Sequence, residues 1–138
     1  MHPTDQRVRL LGLAVLLMLG ISGCGEPADP TGSVKGQVTF EGQPVTEGVV
    51  NFFNNAKGTG AQANLDSGGN FALATSIPTG DYVVYITPPR APDPVPGQSA
   101  PPPKDYSNIP AKYRSENNTL LSAKVESGGN TFSFEMKP

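Results

Sequence analysis

The chain has 138 residues, which is enough for one domain after any processing. Its 16 glycines and 15 prolines disfavour long helices and favour short strands joined by turns. The formal net charge is −2, so no basic surface for nucleic acid is expected. A single cysteine is present, which excludes an intramolecular disulfide.

The N-terminal residues have the pattern of a secretory signal. Arg7 and Arg9 precede an apolar run over residues 10–21, and two small residues follow it. This run is too short to cross a hydrocarbon core of about 30 Å, which needs roughly 20 residues. We therefore predict that residues 1–23 are a signal peptide.

Residues 21–24 read Ile-Ser-Gly-Cys and resemble the lipobox of bacterial lipoproteins. The resemblance implies diacylglycerol on the Cys24 sulfur, cleavage before Cys24, and acylation of the new amino group with a fatty acid such as palmitate. Stable anchoring needs two or more chains, which such a cysteine carries. Residues 24–32 are then the lipidated cysteine and a polar tether. The alternative is an ordinary signal peptide with a chance cysteine.

The domain predicted over residues 33–138 begins with a strand over residues 34–40. Val34, Gly36, Val38 and Phe40 fall on one face at period two, with polar residues between them. Turn residues follow at Glu41-Gly42-Gln43-Pro44. The same signals predict further strands at residues 48–54, 59–65, 70–75, 82–87, 119–125 and 131–137.

Two of these strands have apolar residues on both faces. In residues 48–54, Val50 and Phe52 share one face, whereas Val49 and Phe53 share the other. That strand is either covered on both sides or has Phe53 at an edge. Residues 82–87 carry a similar double set, which predicts a central position in a sheet.

A proline-rich insertion is predicted at residues 88–118. Residues 88–103 contain eight prolines, so they form neither a helix nor a paired strand. They are either a solvated insertion or a polyproline ligand for an aromatic-lined groove. We expect Tyr106, Ile109 and Tyr113 to hold the second half of the insertion against the domain.

These elements predict an all-β fold, a seven-stranded antiparallel Greek-key β-sandwich, with the six phenylalanines dominating its core. The chain resembles carboxypeptidase regulatory-like domains, which have a prealbumin-like sandwich. The resemblance rests on inward hydrophobic residues and turn glycines, and it implies an accessory role without an active site. The matching stretches are residues 36–45, 50–52, 66–71, 77–84, 109–113 and 125–132.

Little catalytic chemistry is available to the exported chain. The single histidine is His2, inside the predicted signal peptide, so the usual general base and commonest metal ligand are absent after export. Asp66 and Asn70 offer too few oxygens for a calcium loop, and a hairpin turn is the better interpretation. We therefore expect no catalytic, cofactor-binding or metal-binding residues.

The sequence favours a non-enzymatic, membrane-anchored lipoprotein of the cell envelope, attached through lipid on Cys24. The expected location is the cell membrane or outer membrane, with the domain on the extracytoplasmic side. Its partner is expected to be an envelope protein or a glycan. The alternative is a carbohydrate- or peptide-binding accessory module of an envelope complex, with Tyr106 and Tyr113 as the candidate ligand contacts.

Overall fold

The computed structural model describes Gly23 and residues 25–138, which form two open β-sheets packed face to face. The predicted signal peptide and Cys24 lie outside the described residues. Within the described part, the one helix is a single 3₁₀ turn, Ala111–Tyr113. The strands are β1 (Thr31–Phe40), β2 (Gln43–Pro44), β3 (Val49–Asn54), β4 (Thr59–Asn64), β5 (Asn70–Ala72), β6 (Ile77–Pro78), β7 (Gly80–Thr87), β8 (Leu121–Val125) and β9 (Gly128–Met136).

The first sheet, sheet A, is built around β1. Strands β2, β5 and β6 pair with successive segments of β1 in antiparallel fashion. Strand β9 runs along β1 from Gly32↔Gly128 to Phe40↔Met136. The second sheet, sheet B, has the order β4-β3-β7-β8 and is antiparallel throughout. Strand β7 is therefore internal, which confirms the central position predicted for residues 82–87.

The pairing of β1 with β9 is parallel, so the prediction of an entirely antiparallel sandwich is wrong for this pair. Alternation along a strand specifies which side chains are buried. The pattern is identical whether the neighbouring strand runs parallel or antiparallel, so it does not predict the direction of that strand. Each of the seven predicted strands overlaps an observed one. The two short strands β2 and β6 were not predicted, because a two-residue ladder has no periodicity to detect.

The core lies between the sheets, and Phe52 is at its centre. Its ring centroid lies 5.8 Å from that of Phe71, 6.1 Å from Phe134 and 6.3 Å from Tyr82. A fully buried aromatic side chain of this kind contributes roughly 1.5–3 kcal/mol. All buried hydrophobic side chains of the described chain lie between Val34 and Met136. The sandwich thus contains its own core.

Phe53 is the exception among the phenylalanines. It follows Phe52 on β3, so its side chain points to the outer side of sheet B, where it is half-buried. Phe40 and Phe132 are partly buried against the core, and Phe71 and Phe134 are buried. The expectation that the six phenylalanines dominate the core therefore does not extend to Phe53, for which the sequence left a covered face and an edge open, because successive residues of a strand face opposite sides.

The two ends of the sandwich differ in what they carry. One end, the tether pole, contains the start of β1, the turn between β3 and β4, and the turn between β8 and β9. The other end, the loop pole, contains the end of β7 and the end of β9. The chain enters at the tether pole, and residues 88–120 leave and return at the loop pole.

Candidate functional site

The tether is fixed to the tether pole by three contacts. The Pro30 carbonyl accepts a hydrogen bond from the Thr79 N–H at 2.9 Å, and Thr31 pairs with Pro78. Asp29 forms an ion pair with Lys57 in the turn between β3 and β4, with 2.7 Å between Oδ2 and Nζ. The position at which the chain leaves the sandwich is therefore set by residue 29, five residues after Cys24.

The proline-rich insertion begins at the opposite pole. Strand β7 ends at Thr87, which pairs with Val49, and residues 90–105 are all exposed. Lys104 forms an ion pair with Glu47, two residues before Val49, so the base of the loop is closed beside its starting point. The hydrogen bond from Lys104 to the Glu47 carboxylate raises the pKa of that lysine. Residues 88–103 are thus a closed loop that projects into solvent.

The second half of the insertion packs on the sandwich, as predicted. Ile109 is completely buried, Tyr113 is buried, and Tyr106 is partly buried against the core. Arg114 connects these residues, because its side chain donates hydrogen bonds to the carbonyls of Ile109 at 2.7 Å and Tyr106 at 2.8 Å. This segment closes the loop pole of the core.

The same packing bears on the prediction that Tyr106 and Tyr113 contact a ligand. The Tyr113 side chain is only 6% exposed, and its hydroxyl accepts a hydrogen bond from the Lys137 N–H. Lys112 Nζ lies 5.3 Å from the centroid of the Tyr113 ring. A ring held in this way presents no open face to a ligand. Tyr106 alone keeps partial exposure.

A cleft of about 630 Å³ lies over β5, β1 and β9 of sheet A. Its polar wall comes from outward-facing residues that alternate with the core positions of these strands. At its centre, Gly36 pairs with both Phe71 and Phe132, and Gly36 itself is partly exposed. The polar lining residues are Lys35, Gln37, Asn64, Asp66, Asn70, Thr131 and Ser133.

One end of this cleft is formed by the turn before β5. Asp66 Oδ1 accepts hydrogen bonds from the N–H of Gly68 at 2.8 Å and of Asn70 at 2.9 Å. These two bonds, that from Asn70 first, lower the pKa of Asp66. Gln37 Nε2 donates to the Gly68 carbonyl at 2.9 Å, which fixes the turn to β1. The Asp66 carboxylate thus caps its own turn. The prediction of a hairpin is wrong here, because this turn connects β4 of sheet B to β5 of sheet A, and the two strands do not pair with each other.

A second, shallower depression of about 220 Å³ lies on the outer face of sheet B. Phe53 and Tyr85 are on neighbouring strands, and both rings are half-buried. Asn51 lies directly opposite Tyr85, and Gln62 lies on the other side of Asn51. We call these four side chains, Asn51, Phe53, Gln62 and Tyr85, the Phe53–Tyr85 patch.

The sequence contained a signal for this patch but not for the cleft. Apolar residues on both faces of residues 48–54 and 82–87 indicated that one set would point away from the core, and the structure places these two outward sets side by side. The cleft combines residues from three strands and a turn, whose proximity depends on strand order. No periodicity in the sequence specifies that order.

Within residues 25–138, no group of three or more His, Cys, Asp or Glu side chains is arranged to hold a metal ion. In that same part of the chain, the structure contains no helix of the length and hydrophobicity needed to cross a membrane.

Comparison with known proteins gives no assignment of family. No family model matches the sequence, and no curated protein sequence matches it. The similar solved structures include the Bacillus anthracis TIE protein, at 20% identity, and a DUF3823 family protein from Parabacteroides merdae, at 12% identity, with TM-scores of 0.43 each. Each similarity covers 78% of this chain but only 16% and 46% of the respective proteins, so the chain spans less than half of either. At these TM-scores, neither similarity bears on function.

Proposed function

We propose that this chain is a non-enzymatic, lipid-anchored domain of the cell envelope that holds an interaction loop away from the membrane. The proposal rests on the observation that the tether and the proline-rich loop lie at opposite poles of the sandwich. The tether enters at one pole, where Asp29 and Pro30 are fixed, and residues 88–103 project from the other. A lipid on Cys24 would therefore place the proline-rich loop on the side of the domain that faces away from the bilayer.

The location of the domain and its accessory role are part of this proposal. The lipobox resemblance supports a location outside the cytoplasm, on the cell membrane or the outer membrane. The resemblance to carboxypeptidase regulatory-like domains, with their prealbumin-like Greek-key sandwich, favours an accessory role. Purified residues 25–138 should then have no hydrolase or oxidase activity, and reproducible turnover by this fragment would overturn the non-enzymatic assignment.

Replacing the cysteine tests the anchor. The wild-type chain should incorporate labelled palmitate and sediment with membranes, whereas Cys24→Ala should remain unprocessed or be released. A matched control is Cys24→Ala combined with Ser33→Cys, which restores an exposed thiol at the wrong position. That double variant should behave like Cys24→Ala. Normal membrane fractionation of Cys24→Ala would refute the anchor.

Single-cysteine labels test the orientation. Asn55 lies in a turn at the tether pole and Gln98 lies in the proline-rich loop, and both are exposed. Fluorophores on Asn55→Cys and Gln98→Cys, in lipidated protein on vesicles, should differ in quenching by a lipid-embedded quencher. We expect stronger quenching at Asn55. Equal quenching, or stronger quenching at Gln98, contradicts the proposed orientation.

A second candidate function is carbohydrate or peptide binding, and the cleft over β5, β1 and β9 favours it. Hydroxyl, amide and charged groups line the cleft together with Phe71 and Phe132, and a few polar groups beside an apolar surface are typical of a small-ligand site. Lys35→Ala and Gln37→Ala should weaken binding to a responding glycan or peptide. Lys124→Ala, on the outer face of sheet B, is the control and should leave binding unchanged.

A further inference from the structure

Strand β9 has a neighbour on one side only. It pairs with β1 along its nine residues, and no other strand of the described chain pairs with it. It is longer than β4 and β8, the end strands of sheet B, which have six and five residues. Proteins commonly protect an open edge of this length with prolines, bulges or several charges, yet β9 contains no proline and one charged residue, Glu135.

The hydrogen bonds at the end of β9 show which backbone groups face the open edge. The Met136 carbonyl accepts a hydrogen bond from the Glu41 N–H at 3.1 Å, on the side of β1. The next residue, Lys137, faces the opposite side, where its N–H donates to the Tyr113 hydroxyl. Because backbone direction alternates along a strand, every second residue before Lys137 also faces the open edge. These residues are Thr131, Ser133 and Glu135. All three are exposed, and their backbone groups have no partner among residues 25–138.

Lys35 and Glu135 are exposed on the outer face of sheet A, and neither has an ion-pair partner in the described chain. Lys35 lies beside Thr131, four residues before Glu135 on β9, so about 13 Å separates the two within one copy. A second β9, placed antiparallel along the open edge with Ser133 opposite Ser133, brings its own Glu135 opposite Thr131. That Glu135 and Lys35 then lie two strands apart on one face, about 10 Å between Cα atoms, a distance that two long side chains span. The two-fold symmetry forms this pair twice.

The charges favour this register over its neighbours. A shift of two residues in one direction places Glu135 opposite Gly129, away from Lys35. The same shift in the other direction places Lys137 opposite Thr131, beside Lys35, where the two lysines repel each other. A shift of one residue places the edge-facing backbone groups opposite residues that face β1, so the hydrogen bonds are lost.

The inner side of the edge adds an apolar contact. Phe132 is half-buried, and its ring is stacked on that of Phe134 with 5.8 Å between the centroids. In the register above, Phe132 lies opposite Phe134 of the second copy in a non-hydrogen-bonded pair, the type in which opposing side chains approach most closely. Pairing therefore covers apolar surface that is exposed in a single copy.

We propose that two copies of this domain pair through the open edges of their β9 strands, antiparallel and with the two-fold axis at Ser133. The two A sheets become one continuous sheet, in which the edge-facing residues exchange about six backbone hydrogen bonds. Each Lys35 forms an ion pair with Glu135 of the other copy. Because both copies use the same edge, the assembly closes as a dimer. The inference concerns residues 25–138 and holds whether or not Cys24 is lipidated.

Sedimentation velocity of residues 25–138 tests the association, and a proline tests the edge. Ser133→Pro removes the central edge-facing N–H but no hydrogen bond to β1, so it should weaken the dimer about tenfold or more. Gln62→Pro is the matched control on the open edge of β4. There the Leu65 N–H donates to the Gly48 carbonyl, so residue 62 faces away from β3. The control should associate as the parent does, and circular dichroism and thermal melting confirm that both variants fold.

Charge reversal tests the register without changing the backbone. Glu135→Lys and Lys35→Glu should each weaken the dimer about tenfold, because each replaces two attractive pairs by two repulsive ones. An equal mixture of the two variants should associate as the parent does, since every Lys then faces a Glu of the other chain. A chain that carries both changes should also regain the dimer. Amide exchange measured by NMR should show the N–H groups of residues 131, 133 and 135 becoming protected as the concentration rises.

The proposal is overturned if the intact chain stays monomeric up to about 1 mM, a concentration that detects even weak contacts. It is also overturned if Ser133→Pro associates as well as Gln62→Pro, or if the mixture of the two charge variants fails to associate. Growth into assemblies larger than a dimer contradicts it as well, because the two-fold contact leaves no β9 edge open. Protection of the edge amides by an added extended peptide, in a chain that stays monomeric, would assign the edge to a different partner.

Discussion

The hydroxyl of Tyr113 accepts a hydrogen bond at 3.1 Å from the backbone N–H of Lys137, 24 positions further along the chain. This bond joins the irregular segment after the proline-rich loop to the residue that follows β9. Because the Tyr113 ring is buried, the bond lies at the edge of the core. It fastens the segment that closes the loop pole.

Removing the Tyr113 hydroxyl should therefore destabilise the domain. We expect Tyr113→Phe to lower the free energy of unfolding by about 1 kcal/mol, the usual net value of one hydrogen bond. Urea denaturation measures the change. Tyr106→Phe is the control, since no hydrogen bond of the Tyr106 hydroxyl is present among residues 25–138, and it should have a smaller effect. Equal effects would show that the Tyr113 bond is not stabilising.

The two halves of the 88–118 insertion should respond differently to mutation. Replacing residues 90–101 by a short Gly-Ser linker should change the unfolding free energy little, because these residues are exposed. In contrast, Ile109→Ala should cost about 2–5 kcal/mol, because Ile109 is completely buried. Chemical denaturation of both variants beside the parent chain measures the difference. A large loss from the loop replacement would mean that the loop contributes to the core.

Gly36 should not tolerate a side chain. A Cβ at this position would overlap the Phe132 carbonyl oxygen and lie 2.9 Å from Phe71 Cζ. Gly36→Ala should therefore force β1 and β9 apart and destabilise the domain by about 1–3 kcal/mol or more. Gly129→Ala is the matched control on the same sheet, because the nearest atom there, Ser33 Oγ, is 3.9 Å away. Thermal melting should separate the two variants, and similar melting temperatures would contradict the prediction.

Asp66 should make stability depend on pH in the acidic range. Hydrogen bonds from the N–H groups of Asn70 and Gly68 lower its pKa in the folded chain from the ordinary value of 3.8. The ionised form therefore stabilises the folded state above pH 3.8, and this contribution is lost as the pH falls through the lower, folded pKa.

Asp66→Asn keeps the accepting oxygen but removes the charge, so it isolates this effect. The variant should be less stable than the parent at neutral pH, and the difference should disappear at the acidic end of a series of urea titrations. Asp93→Asn is the control, because Asp93 is almost fully exposed and its contact with Arg90 is 3.9 Å long. A difference between Asp66→Asn and the parent that is constant with pH would contradict the assigned cause.

Much of the local structure could be predicted from alternation alone. The buried faces of β1, β7 and β9 contain the residues expected, including Val38, Val84 and Phe134. The turn at Glu41 and Gly42 also forms, with positive φ at both residues, as a tight hairpin needs. The proline run ends β7 where expected, at Thr87. These features depend on single residues and their immediate neighbours.

The candidate sites were less predictable. Tyr113 was a candidate ligand contact, yet the structure buries its ring, since the chain after the loop folds back to cover the loop pole. Phe53 was left between a covered face and an edge, and the structure places it beside Tyr85 on the outer side of sheet B. In both cases the sequence identified an aromatic residue of interest. Whether its ring is buried or exposed depended on segments that are distant in the chain.

The sequence by itself determined that the chain is all-β, which positions face the core, and where strands are interrupted, because side-chain alternation, proline and glycine act over a few residues. Tertiary structure alone decided that β9 runs parallel to β1, that the tether and the proline-rich loop occupy opposite poles, and that Phe53 and Tyr85 lie on neighbouring strands of the outer face of sheet B. The physical reason is that a strand pairs through backbone groups, which are the same in every residue except proline. Partner and direction are therefore set by the packing of the whole core.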